Sequence, residues 1–252
     1  MKTPENFPAR EEFIALLRTC FEINSLSELL TPETEERLFA LSLYLLEQNK
    51  RGNLTAITDA PGIIAKHLAD SVTAAALIPY GASIADVGSG AGFPALPLAI
   101  CRGDLSIVAI ESNHRKVDYI NSAAALVGVG NIRAICARAE EAAAPGGEYR
   151  ESFDLVTARG VAELRVLCEL CMPFVRCGGS FLALKGKRAD EELAAAKNAV
   201  SMLGGRYVST EPLPVRTAEG ELLEHCGVII KKEKASNTIY PRPYAKITKR
   251  PL

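Results

Sequence analysis

No stretch of the 252-residue chain approaches the roughly 18 uninterrupted apolar residues of a membrane-spanning helix. The longest candidate, Leu38 to Leu46, lasts about two helical turns. The opening Met1-Lys2-Thr3-Pro4-Glu5-Asn6 lacks the basic-then-apolar order of a secretory signal. These absences predict a soluble, cytoplasmic protein with no membrane partner. Histidine is scarce: His67, His114 and His225 lie far apart, and no second CxxC accompanies Cys168-Glu169-Leu170-Cys171. A structural zinc site needs four ligands, so no metal is expected. The seven cysteines are an odd number in a chain without an export signal, which argues against a disulfide framework. Cys168 and Cys171 fall in an apolar, helix-like run, where small thiols pack as core.

Net charge is also nearly absent, at −1, while 48% of the residues are hydrophobic. That combination excludes a disordered chain. A chain of this length buries roughly 70–75% of its unfolded surface as one domain. The neutral total hides an asymmetry. Residues 1–50 carry five basic and nine acidic side chains, a net of −4, whereas residues 231–252 carry seven basic and one acidic, a net of +6. A basic terminal segment attracts phosphates or simply keeps a surface solvated. The aromatics of Tyr240-Pro241-Arg242-Pro243-Tyr244 tilt the balance toward nucleic acid, because bases stack on tyrosine.

The first 50 residues read as helices. Glu11 to Leu17 has helical spacing, Thr31-Pro32-Glu33 has the form of an N-cap followed by proline, and Leu38, Leu41, Leu45 and Leu46 form an apolar stripe. From about residue 83 short apolar runs appear, at Ser83–Val87, Ser106–Ile110, Asn131–Cys136, Phe153–Thr157, Ser180–Leu184 and Gly227–Ile230. Helical patterns at Arg115–Val127, Val161–Phe174 and Ala189–Leu203 separate most of them. Strands alternating with helices, under the right-handed crossover rule, give an α/β, doubly wound, mostly parallel sheet. We expect residues 1–70 to be a helical extension packed on a core domain of residues 71–252.

The first strand runs into Ala85-Asp86-Val87-Gly88-Ser89-Gly90-Ala91-Gly92-Phe93-Pro94. Glycines there permit a tight turn and close approach of a ligand to the backbone, at the carboxyl ends of the strands where such sheets bind ligands. Glu111 ends the second strand, 21 residues beyond Gly90, where a carboxylate accepts both hydroxyls of a ribose. A dinucleotide fold wants G-x-G-x-x-G, but the spacing is G-x-G-x-G, with Phe93 where the third glycine belongs. Asp86 places a carboxylate at the mouth of the loop, where it would repel a diphosphate and suit the cationic methionine moiety of S-adenosylmethionine. Its other role would be to pin the loop's own amides, which suits either cofactor. S-adenosylmethionine is the favoured cofactor.

The motifs Asn53-Leu54-Thr55-Ala56-Ile57, Lys66-His67-Leu68-Ala69-Asp70-Ser71 and Asp86–Pro97 appear in order. Arg138-Ala139-Glu140, Phe153 to Arg159, Gly178-Gly179 with Lys185-Gly186-Lys187, and Tyr240-Pro241-Arg242 follow. This succession, over roughly residues 35–252, resembles the RsmG/GidB family, methyltransferases that act on N7 of a guanosine in bacterial 16S ribosomal RNA. One departure is Ala95, where the family usually has glycine after Phe-Pro; it adds a methyl group where a helix begins. The resemblance implies a Rossmann-like methyltransferase fold and contacts to S-adenosylmethionine from Gly88 and Phe93, with Glu111 at the ribose. It also implies that Ala139 and Glu140 flank the adenine and that Arg159 faces the site. With Asp86 and Gly90 these make up the expected cofactor site.

N7 of guanine has a free lone pair and no proton, so its methylation needs no general base, and no catalytic acid or base is assigned. The deep, narrow major groove of A-form RNA hides N7, so the target must be unpaired, distorted or flipped out. Arg115, Arg138, Lys185, Lys187 and the cations from Arg242 to Arg250 are the candidates for holding RNA phosphates, and the resemblance adds Lys66 and His67. The expected partner is 16S ribosomal RNA, as a small subunit or an assembly intermediate, with the protein acting as a monomer. Two other readings fit less of the chain: a small-molecule methyltransferase lidded by the N-terminal helices, and a non-catalytic ribosome-binding protein that retained a cofactor fold.

Overall fold

A computed structural model describes residues 7–252; the reading of Met1 to Asn6 lies outside the described residues. The chain opens with α1 (Arg10–Ile23) and α2 (Pro32–Gly52). Thr31 caps α2 as expected: its hydroxyl accepts from Thr34 N, and the Thr34 hydroxyl accepts from Thr31 N, a reciprocal box that satisfies two otherwise orphaned donors. Pro32 takes the first helical position, where its missing N–H costs nothing. Asn53 ends the helix in the left-handed region, at φ 47°.

A continuous helical segment follows, as α3 (Ala60–Gly62), a π-helical stretch Ile63–Ala69, α4 (Asp70–Val72) and a 3₁₀ stretch Thr73–Leu77. The rest alternates: β1 (Ser83–Val87), α5 (Ala95–Cys101), β2 (Ser106–Glu111), α6 (His114–Leu126), β3 (Ile132–Cys136), α7 (Ala139–Ala142) and β4 (Phe153–Arg159). Then come α8 (Leu164–Cys171), β5 (Val175–Lys185), α9 (Ala189–Met202), β6 (Gly205–Pro212), the short β7 (Val215–Arg216) and β8 (Leu222–Leu223), β9 (Cys226–Lys232) and α10 (Tyr244–Lys249).

Seven strands form one sheet in the order β3-β2-β1-β4-β5-β9-β6, and β7 pairs with β8 apart from it. The pairs from β3 to β5 are parallel, and β9 runs antiparallel to both β5 and β6. Alternation along each strand sends side chains to two cores. Ile84, Ile107, Ala109, Leu155 and Leu182 join the core under α1, α2, α5, α6 and the 60–77 segment. Ala85, Val87, Val108, Ile110, Val156, Phe181 and Val228 join the one under α8 and α9. Fully buried side chains such as Phe21, Leu38 and Ile63 each contribute about 1.5–3 kcal/mol of burial. The first core runs without a break from α1 and α2 into the sheet, across the expected boundary at residue 70.

The fold is the doubly wound one expected from the strand spacing, with local differences. The run expected as Val161–Phe174 starts as a helix only at Leu164, because residues 160–163 form the loop leaving β4. β5 begins five residues earlier than expected, and β6, β7 and β8 were not anticipated. β6 alternates weakly and is largely solvent-facing at the sheet edge, which removes the periodic signal. Ala95 is buried in the first turn of α5, so the helix accommodates its methyl group. Cys168 and Cys171 are fully buried in α8, and burial pushes the Cys168 thiol up to about 12. None of the helices among the described residues is long and apolar enough to cross a membrane.

Candidate functional site

β1 and β4 are neighbours, whereas the chain leaves β1 toward β2 on the other side, so the sheet's topological switch point lies between them. A cavity of about 510 Å³ opens there, at the carboxyl ends of β1, β2, β3 and β4. Gly88 to Ala91 and Phe93 form one wall, Ile110 and Glu111 another, Ala137 to Glu140 a third, and Arg159 to Val161 the fourth. The local sequence builds this wall. Gly88 has φ 73°, and a Cβ there would meet Val161 Cγ2 at 2.5 Å. Gly92 has φ 82°, and a Cβ would meet Leu96 Cδ1 at 2.5 Å. Only glycine lets the loop turn this tightly against its neighbours.

Glu111 is buried, with one carboxylate oxygen accepting from Gly90 N (3.0 Å) and the other from Asn113 N (2.8 Å). Its side chain thus ties β2 to the glycine loop while still lining the cavity. Asp86 sits beneath the loop rather than at its mouth, a correction to the sequence reading. It is 1% exposed and accepts from the Thr157 hydroxyl at 2.8 Å, because Thr157 is its register partner on β4 and the two side chains share one face of the sheet. Burial pushes its carboxyl up, and its second oxygen has no hydrogen-bond partner.

Above Phe93 lies a polar cluster that spacing does not announce. His67, from the π-helical stretch, stacks on Phe93 with ring centroids 4.6 Å apart, and its Nε2 is 2.7 Å from the Thr55 hydroxyl. Arg159 lies over the same Phe93 ring at 5.9 Å and pairs with Asp70 at 2.5 Å. Asp70 also receives His225 Nδ1 at 2.5 Å. Burial and the Arg159 charge hold His67 down at about 4, so it is neutral at physiological pH. The Asp70 partner raises His225. For Asp70 itself burial pushes upward, but the His225 and Arg159 contacts outweigh it and the net shift is downward. Neither Asp70 nor His225 was singled out from the sequence, although Asp70 belongs to one of the quoted motifs.

Arg159, Gly160 and Val161 also line a second cavity, of about 380 Å³, between the ends of β4, β5 and β9. Asp70, Lys185, Glu192 and His225 lie in its wall.

The expected phosphate-binding cations separate into two groups. Arg115 and Arg138 are exposed, and Arg138 lines the cofactor-sized cavity. Lys187 is exposed and pairs with Glu224 at 2.7 Å. Lys185 is not free for RNA: its side chain is 8% exposed, pairs with Glu192 at 2.6 Å and donates to Ala162 O. Arg242 likewise serves the fold, gripping the fully buried Glu169 through Nε (2.8 Å) and Nη2 (2.5 Å). Tyr240 is buried and has no ring face open to bases, whereas Tyr244 lines the large cavity. Such internal pairing has no signature in a single sequence.

The strand order and the glycine-walled cavity at the switch point define a Rossmann-like α/β fold with a ligand crevice at the carboxyl ends of its strands. A family model described as "GidB: rRNA small subunit methyltransferase G" matches residues 34–216. The ribosomal RNA small subunit methyltransferase G of Clostridium beijerinckii is 39% identical over 225 residues, covering 88% of this chain and 92% of the relative. That of Geobacillus kaustophilus is 41% identical over 219 residues, covering 86% and 89%. The chain belongs to the ribosomal RNA small subunit methyltransferase G family. A structure solved in work on disulfide-to-thioacetal conversion during echinomycin biosynthesis shares the fold alone. Its TM-score is 0.50 at 16% identity, covering 68% of this chain and 83% of that one.

Proposed function

We propose that the protein transfers a methyl group from S-adenosylmethionine to N7 of a guanosine in 16S ribosomal RNA. The observation that carries this reading is the pair of adjoining cavities sharing Arg159, Gly160 and Val161, one fit for a cofactor and one for a base. The residues present suit the cofactor. Gly88 and Gly90 keep the loop open, Glu111 offers a carboxylate at the end of β2, and Ala139 and Glu140 line the wall beyond β3. Asp86 stays beneath the loop, outside the cavity lining, where it accepts from the Thr157 hydroxyl. Bound there, S-adenosylmethionine would supply an electrophilic methyl group on a sulfonium.

The protein's own work is then placement. Guanine N7 already carries its lone pair, so holding the base in line with the methyl group replaces acid–base chemistry. Positioning of this kind supplies about 7–11 kcal/mol in favourable intramolecular cases. The second cavity has room for one unstacked purine, and the Thr73 hydroxyl in its wall, which donates to Asp70 O, offers it an acceptor. Arg159 stands between the two cavities, its orientation fixed by Asp70. RNA phosphates would fall to Arg115, Arg138, Lys246, Lys249 and Arg250, exposed candidates, rather than to Lys187, which Glu224 holds. Family membership supports ribosomal RNA of the small subunit as the polymer.

The test is to incubate the protein with labelled S-adenosylmethionine and unmodified small ribosomal subunits, digest the RNA and identify the labelled nucleoside by mass spectrometry. Label in 7-methylguanosine is the expected result. Label in another nucleoside would overturn the acceptor atom, and no label in RNA despite measured cofactor binding would overturn the polymer.

A further inference from the structure

A third cavity, of about 420 Å³, lies between the last turns of α2 and the first turns of α6. It adjoins the cofactor-sized cavity, because Leu54 and Lys116 line both. Arg51, Arg115 and Lys116 surround it, and none of the three has a carboxylate within 4 Å among the described residues. That is unlike Arg159, Lys185, Lys187 and Arg242, each of which is neutralised by a partner. The one acid in the wall, Asp118, receives His114 Nδ1 at 2.8 Å. Three uncompensated cations beside the first turn of a 13-residue helix make this wall electropositive.

A second observation is independent of that charge. Tyr119 belongs to the same wall, stacks on Tyr44 with centroids 5.5 Å apart, and is 5% exposed. Its hydroxyl is buried without any hydrogen-bond partner. Burial pushes the phenol up, so it stays protonated and remains an unspent donor. An unmade hydrogen bond of this kind is costly in a folded protein and calls for a partner.

We propose that this cavity receives a phosphodiester of the RNA strand flanking the target nucleotide, held by Arg51 and Arg115 with the Tyr119 hydroxyl beneath. The inference rests on the reading that the substrate is RNA. The helical extension then contributes half of an RNA site, through Arg51 and Tyr44 on α2, and α6 contributes the other half. The cofactor-sized cavity adjoins this site at Leu54 and Lys116 and the base-sized cavity at Arg159, so a strand crossing the face would span all three.

The experiment titrates the full chain with an unmodified 16S ribosomal RNA fragment at several salt concentrations, beside a titration with S-adenosylmethionine. For single-stranded RNA each phosphate contact contributes about 0.7 to the slope of log affinity against log salt. Arg51→Ala with Arg115→Ala is expected to lower that slope by about one such contact while leaving S-adenosylmethionine affinity intact. Tyr119→Phe is expected to fold at least as stably and to weaken RNA binding about fivefold, as for one lost hydrogen bond. An unchanged slope in the arginine variant overturns the site, and a parallel loss of cofactor affinity reassigns the arginines to the cofactor. Wild-type protein that binds no RNA overturns the RNA reading itself, and the inference with it.

Discussion

Replacing His67 with phenylalanine should remove a pH dependence from folding stability. In the native protein the imidazole is stacked on Phe93, largely buried and close to the Arg159 guanidinium. Burial first, and the Arg159 charge second, lower it from 6.5 to about 4. The unfolded chain therefore binds a proton between those values that the native state refuses, and stability falls as pH drops through that window. Each unit of displacement corresponds to about 1.4 kcal/mol, so the full effect is about 3 kcal/mol, of which about 2 kcal/mol is reached by pH 5. His225 acts oppositely: its raised value favours the protonated native state, and its contribution fades as pH rises past that value. His225 remains in both proteins, so the comparison cancels it. Urea unfolding at pH 7, 6 and 5, extrapolated linearly, measures the difference. Wild type should lose about 2 kcal/mol more than His67→Phe between pH 7 and pH 5. Parallel losses would refute a neutral, proton-refusing His67.

Three further outcomes follow from the same geometry. Glu111→Ala removes a carboxylate that both lines the cavity and holds Gly90 N, and titration calorimetry should show a loss of S-adenosylmethionine affinity on the order of tenfold or more, from a charged hydrogen bond of about 1.5–3 kcal/mol; unchanged affinity would rule out the ribose role. Gly88→Ala places a methyl group 2.5 Å from Val161 Cγ2 at a φ of 73°, so cofactor binding and melting temperature should both fall, and an unchanged Kd would show that the loop relaxes freely. Lys185→Ala leaves the Glu192 carboxylate short of its cation in a largely buried setting and should lower thermal stability, whereas Lys187→Ala, at an exposed pair, should not; equal stability of the two would contradict a structural role for Lys185.

The parts of this molecule that were legible in the sequence are those written in local chemistry. Thr31-Pro32 marks the start of α2 because capping needs a hydroxyl and a missing N–H within one turn. The strands β1, β2 and β4 are legible because burial on both faces turns them into short apolar runs. The loop from Gly88 to Gly92 is legible because no other residue takes its backbone angles in so little space. What escaped depends on meetings between distant residues. Lys185 and Arg242 are basic in any reading of charge, but Glu192 and Glu169 consume them, and the second pair spans 73 residues. Asp86 has the right type and place in the sequence, yet strand orientation sends it toward Thr157 rather than into the cavity.

The Asp70 cluster shows why the helical extension and the sheet belong to one functional unit. Asp70 comes from the 60–77 segment, Arg159 from the end of β4 and His225 from the residue before β9. A carboxylate 6% exposed is tolerable only when its charge is matched, and here two cationic or cation-capable groups, from the end of β4 and from the residue before β9, match it. The same contact orients Arg159 between the cofactor-sized and base-sized cavities. Stripping the segment away would free Arg159, expose Phe93 and unpair His225 in one step. The N-terminal helices are thus tied to the site through the Asp70 carboxylate as well as through His67 on Phe93 and the shared core.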